Sequence, residues 1–196
     1  MRLRGPPAPP PSAPSVNALL ERAAAHTSGV TFVDADEREA RMPWGEIHAR
    51  ARRAAAALAR LGLRPGDRAA IVLRTEPLFL DAFFGALLAG AVPVPLYPPV
   101  RLGRMEEYLA ATARMVEVSG ARVVLSSGAV RRLLGAVVER SRPELGCPDA
   151  GSLARGRGEL ERRPGPGDLA LVQFYYGRIE EAIKNVKTAL EINPKL

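Results

Sequence analysis

Residue types that do chemistry are thinly spread in this chain. Cys147 is its one cysteine, and His26 and His48 are its two histidines. That excludes an internal disulfide and leaves too few ligands for a zinc constellation. Two stretches, Ser126-Ser127-Gly128 and Gly156-Arg157-Gly158, have some of the content of a phosphate cradle. Such a cradle lets glycine N–H groups approach the phosphates, adds hydroxyl donors, and draws charge from a lysine. Ser126-Ser127-Gly128 has no second glycine and no lysine beside it, and reads as a strand-to-helix turn. Residue types alone therefore assign no catalytic, cofactor-binding or metal-ligating residue.

Charge and hydropathy narrow the classes. With 28 basic and 21 acidic residues the formal charge is +7 and the isoelectric point about 10.3, which raises a nucleic-acid partner. The arginines are scattered, however. Arg50, Arg52, Arg53 and Arg60 follow one helical stretch, and the pairs Arg131/Arg132 and Arg162/Arg163 stand apart with acids between them. A solvated surface accounts for them, and no nucleic-acid partner is expected. Residues Ala82 to Val100 are uncharged, but Pro93, Pro95, Pro98 and Pro99 break the run, so a buried helix and a strand are expected rather than a membrane span. Met1-Arg2-Leu3-Arg4 leads into Gly5-Pro6-Pro7, not an apolar run, and the chain reads as cytoplasmic. Thirty-two alanines against 10 aromatic residues imply a core of small side chains.

The elements that would position any site follow a regular order. Residues 1–15, rich in proline, read as an extended leader. A helix from Ser15-Val16-Asn17 to His26, a strand at Val30–Val33 and a turn at Asp34–Arg38 come next. A long helix spans about Gly45 to Leu61, with Gly62 at its C-terminal cap and Pro65-Gly66-Asp67 as a turn. Ala69–Leu73 is an apolar run of strand length, of the kind covered on both faces. A helix from Pro77 to Ala89 leads to an extended Val92–Tyr97, demoted by its prolines to an edge. A helix over Leu102–Ser119 then precedes a strand at Ala121–Leu125. Alternation at this spacing predicts an α/β fold, three-layered, with a mostly parallel sheet. A helix over Val130–Arg140, a loop over Pro143–Gly167 and a last strand over Leu169–Phe174 complete this region.

After Phe174 the composition changes. All three lysines, Lys184, Lys187 and Lys195, lie beyond it, whereas 24 of the 25 arginines precede it. Residues 178–191 read as an amphipathic helix, with Ile179, Ala182, Ile183, Val186 and Leu190 on one face and Asn193-Pro194 at its end.

Four motifs in order carry a resemblance over about residues 16–174. They are Met42-Pro43-Trp44-Gly45-Glu46-Ile47, the passage from Arg53 through Leu63-Arg64-Pro65-Gly66-Asp67-Arg68, the run Leu87-Leu88-Ala89-Gly90-Ala91-Val92-Pro93-Val94-Pro95, and Leu96-Tyr97-Pro98-Pro99. Together they resemble the N-terminal part of adenylate-forming (AMP-binding) enzymes, and the last points to fatty acyl-AMP ligases. The resemblance implies ATP- and magnesium-dependent activation of a fatty acid to an acyl-adenylate, for transfer to an acyl carrier protein. Each motif also has a scaffold role, as turn, helix-to-strand junction or rigid strand exit, and that role is preferred.

The sequence departs from the family where its phosphate loop should begin. Phe174 is followed by Tyr175-Tyr176-Gly177-Arg178, and no Ser/Thr/Gly-rich loop with a lysine follows. Gly177-Arg178-Ile179-Glu180-Glu181-Ala182-Ile183 and Ala189-Leu190-Glu191-Ile192-Asn193-Pro194 instead resemble the second helix of a tetratricopeptide repeat. Such a helix buries its face only against neighbours. The expected organisation is a leader over 1–15, a partial AMP-binding domain over 16–174 cut before its phosphate loop, and a tetratricopeptide-like fragment over 175–196. The fragment is expected to be inactive alone and to hold no cofactor. The alternatives are a non-catalytic interaction module that meets a protein partner through the C-terminal helix, a basic nucleic-acid binder, and a recombined reading frame without selected function.

Overall fold

The structure is a computed structural model and describes residues 13–99, 104–158, 164–165 and 167–174. The helix expected over 178–191 and most of the proline-rich leader lie outside the described residues.

Helix α1 (Val16–Ala24) starts at Ser15, whose Oγ accepts from the Ala18 N–H at 3.2 Å, satisfying one of the donors left open at a helix start. Strands β1 (Gly29–Val33) and β2 (Glu39–Pro43) form an antiparallel hairpin. Its turn is held by Asp34, whose Oδ1 accepts from the backbone N–H groups of Asp36 and Arg38. Helix α2 (Trp44–Leu61) buries Ile47, Ala51, Ala54, Ala55 and Leu58, the spacing of one helical face.

The central sheet has three parallel strands in the order β4 (Val92–Leu96), β3 (Arg68–Val72), β5 (Ala121–Ser126). Helix α3 (Pro77–Leu88) joins β3 to β4 and helix α4 (Met105–Ser119) joins β4 to β5. The two connections run in opposite directions along the sheet, so their helices cover opposite faces. Side chains alternate accordingly. Ala69, Ile71, Val123 and Leu125 pack with Ala54, Leu58, Ala82 and Ala86 of α2 and α3. Ala70, Val72, Val94 and Val124 pack on the other face with Ala113 and Val116 of α4. Alanine at the α2–α3 seam lets the helices approach closely. A Cβ on Gly85 would stand 2.6 Å from that of Ala54.

Four sequence expectations are corrected. Residues Glu39–Pro43 form β2, which no periodicity announced, because Met42 is its one buried side chain. The helix expected over Val130–Arg140 is two, α5 (Gly128–Leu133) and α6 (Gly135–Ser141), broken where fully buried Leu134 turns into the core. The loop expected over Pro143–Gly167 contains a 3₁₀ helix, Ala150–Arg155, that buries Leu153 in the core. At its end Gly156 lies on the backbone of α2, so close that a Cβ would fall 1.7 Å from the Arg53 carbonyl oxygen.

The fourth correction concerns Leu169–Phe174, which does not form a strand. Val172 donates to the Pro93 carbonyl at 3.2 Å. Alternation turns the backbone of residues 93 and 95 to the open edge of β4, and both are prolines with no N–H to give. A fourth strand can donate to that edge but receives nothing back, so the ladder does not form.

Candidate functional site

A groove of about 550 Å³ opens at the carboxyl ends of β3 and β4, the end of a parallel sheet where ligands are held in open α/β folds. Its floor is buried Leu73, Leu96 and Phe174. Phe79 of α3, stacked on Phe83 with ring centroids 5.8 Å apart, forms one wall. Pro95 and the Tyr97-Pro98-Pro99 exit of β4 form the other. Exposed Arg74, Thr75 and Gln173 also line it and supply its polar groups.

The wall at Tyr97 is fixed from behind. The Tyr108 hydroxyl of α4 donates to the Tyr97 carbonyl at 2.8 Å, and the Thr112 hydroxyl donates to the Tyr108 carbonyl at 2.7 Å. Burial pushes the Tyr108 phenol up to about 12, so it stays protonated and remains a donor across the physiological range. Leu96-Tyr97-Pro98-Pro99, read from sequence as a rigid strand exit, is therefore both that and a lining of the groove.

The other motifs are scaffold. Pro65-Gly66-Asp67 is a turn in which Asp67 Oδ2 accepts from the Arg64 N–H at 2.7 Å and Gly66 N–H donates to the Gly90 carbonyl at 2.8 Å. Trp44 meets Phe84 edge-on at 6.2 Å. Neither glycine-bearing stretch lines the groove. The Ser126 hydroxyl is buried and donates to the Val72 carbonyl at 2.9 Å, Ser127 precedes a helix of only six residues, and Gly156 is pressed on α2. Burial raises the Cys147 thiol above its ordinary value, so it stays protonated at neutral pH. His48 lies on α2 and does not line the groove. No group of three or more potential metal ligands occurs among the described residues.

Taken together, a parallel sheet covered on both faces, a proline-edged β4 and an apolar groove at its carboxyl end match the fold implied by the sequence motifs. The family model of the AMP-binding enzyme matches residues 20–174. The chain belongs to the AMP-binding enzyme family. Disco-interacting protein 2 homolog A of Mus musculus is 34% identical over 137 residues, 66% of this chain and 9% of that protein. The long-chain-fatty-acid–AMP ligase FadD32 of Mycolicibacterium smegmatis is 42% identical over 64 residues, 33% of this chain and 10% of the ligase. Among solved structures, a fatty acyl-adenylate ligase from work on the E. coli and L. pneumophila enzymes superposes with a TM-score of 0.79 at 25% identity, over 94% of this chain and 36% of that one. This AMP-binding chain thus spans about a tenth of each of those two relatives. None of the described helices is long and apolar enough to cross a membrane.

Sequence reasoning missed Arg74 and Phe79. The signal was present: Arg74 is the first charged residue after the buried run Ala69–Leu73 and so marks the carboxyl end of a parallel strand.

Proposed function

We propose that this chain is the N-terminal part of a fatty acyl-AMP ligase-like enzyme, that the carboxyl-end groove is its ligand-facing surface, and that alone it forms no acyl-adenylate. The observation that carries the reading is the donor set of the groove. Among its described lining residues there is one cation, Arg74, and no carboxylate. A magnesium triphosphate needs several converging donors and an acidic ligand for the metal, and these residues do not fit it. The sequence after Phe174 supplies no glycine-rich loop with lysine beside it. In the intact family ATP and magnesium would activate the fatty acid and an acyl carrier protein would receive it. The same reading takes the chain as cytoplasmic and residues 175–196, which lie outside the described residues, as resembling a tetratricopeptide repeat in sequence.

Calorimetry with Mg-ATP and a pyrophosphate-exchange assay with medium- and long-chain fatty acids test this. Expected are no saturable ATP binding below about millimolar and no fatty-acid-dependent exchange. Micromolar ATP binding, or exchange above blank, would overturn it. A second reading, an interaction module without catalysis, is favoured by the 137-residue match to a protein named for an interaction. It would be preferred if the groove bound no small molecule while the chain captured a defined protein partner.

A further inference from the structure

The two walls of the groove are held in different ways. On one side Phe79 stacks on Phe83 with ring centroids 5.8 Å apart, Phe83 meets Phe84 edge-on at 5.4 Å, and Phe84 meets Trp44 at 6.2 Å. Ring packing along α3 fixes that wall. On the other side stands the Tyr97-Pro98-Pro99 exit of β4. Strand β4 ends at Leu96, where its pairing with β3 also ends, and Pro98 and Pro99 have no N–H with which to extend it. The proline rings stiffen the exit, so it moves as one piece. A hydrogen bond that ties this piece to the body comes from outside the groove, from the Tyr108 hydroxyl to the Tyr97 carbonyl. Tyr108 itself is not among the described lining residues.

We infer that Tyr108 is a positioning residue for this groove: its phenol, acting through the Tyr97 carbonyl, sets how far the proline wall stands from Phe79. The inference rests on the groove being a ligand site. The donor sits on a firm support, since α4 is seated on the sheet through buried Thr112, Ala113 and Val116, and a side chain on a packed helix places its atoms more closely than one on a loop. The Thr112 hydroxyl, bonded to the Tyr108 carbonyl, adds to that hold. The Tyr108 ring packs against the same buried cluster. Packing and positioning are therefore separable, because phenylalanine would keep the ring contacts and lose only the oxygen that reaches Tyr97.

The test is fluorescence titration of the full chain with N-phenyl-1-naphthylamine, a neutral apolar probe, joined to backbone amide shifts. It compares the native chain, Tyr108→Phe, and a chain carrying p-aminophenylalanine at position 108. Without the bond the wall spends time away from its binding position, and affinity falls by the fraction lost. Tyr108→Phe is expected to weaken the probe about three- to tenfold, up to the worth of a neutral hydrogen bond. Its amide shifts are expected at Leu96 and Tyr97 and not at Leu73 or Phe79. p-Aminophenylalanine, which returns an N–H donor to the same place, is expected to recover most of the affinity. Probe affinity unaltered by Tyr108→Phe would overturn the role of Tyr108 while leaving the groove a ligand site. Shifts on both walls, or a loss that p-aminophenylalanine does not recover, would make Tyr108 a packing residue and overturn the inference as well. No saturable binding to the native chain would overturn both this inference and the reading of the groove beneath it.

Discussion

The two ends of the central sheet treat charge in opposite ways. At the amino end, Arg122 of β5 reaches Asp67 just before β3, Glu144 in the loop after α6, and the Gly62 carbonyl at the end of α2. Its partners raise the Arg122 guanidinium above its ordinary range, the Glu144 bond being the largest cause, and Arg122 in turn holds Glu144 below the usual carboxylate range. At the carboxyl end, Arg74 projects beside an apolar groove with no ion-pair partner among the described residues. Arg122, Asp67 and Glu144 satisfy one another and tie strand to loop, whereas Arg74 lines the groove with no ion pair among the described residues.

That contrast can be broken or sharpened by substitution. The largest effect is expected away from both ends, at the seam of α2 and α3. Asp81 is 2% exposed and receives Arg50 Nε and Nη2 at 2.8 and 2.7 Å. Arg50→Ala leaves a buried carboxylate unpaired, at about 3 kcal/mol, so thermal denaturation should show a fall of roughly 6–12 °C. Gly156→Ala comes next. Its Cβ would collide with the Arg53 carbonyl, and backbone must move at about 1–3 kcal/mol. A melting point equal to that of the native chain would mean that the 3₁₀ segment does not rest on α2.

Arg122→Ala should lower the melting temperature and leave decanoate affinity unchanged. A loss of affinity there would erase the contrast between the two ends. His48 gives a smaller effect with a definite sign. Partial burial, then the charge of Arg52, lowers its pKa from 6.5. As pH falls through 6.5 the unfolded chain takes up a proton that the folded His48 resists, so stability present above 6.5 is lost toward the lower folded pKa. His48→Gln should flatten that slope in melting curves between pH 7 and 5. Smallest of all is Arg74→Gln, whose side chain is exposed and makes no ion pair among the described residues, which predicts a melting point within about 1–2 °C of native.

Much of the scaffold was legible because burial on two faces writes itself as continuous apolar runs. Ala69–Leu73 and Ala121–Leu125 could be placed as parallel strands for that reason, and Gly62 and Gly120 mark the ends of α2 and α4 as left-handed caps. Leu169–Phe174 carries the same apolar signal, yet the outcome is decided by a neighbour's chemistry, the missing N–H groups of Pro93 and Pro95. Strand β2 was invisible because it is held by its ladder to β1 and exposes nearly every side chain. The groove was hidden differently. Nothing in residue type distinguishes Arg74 from the arginines of the surface, and only its place at the end of β3, next to the exit of β4, makes it a candidate.

The central claim is that ligand chemistry belongs to the carboxyl end of the sheet. Backbone amide chemical-shift mapping of the full chain during a decanoate titration tests it directly. Perturbations are expected at Leu73–Thr75, Leu96–Tyr97 and Gln173–Phe174, with Asp67, Arg122 and Glu144 silent. Shifts centred on the amino-end charges, or spread evenly over the surface, would contradict the account.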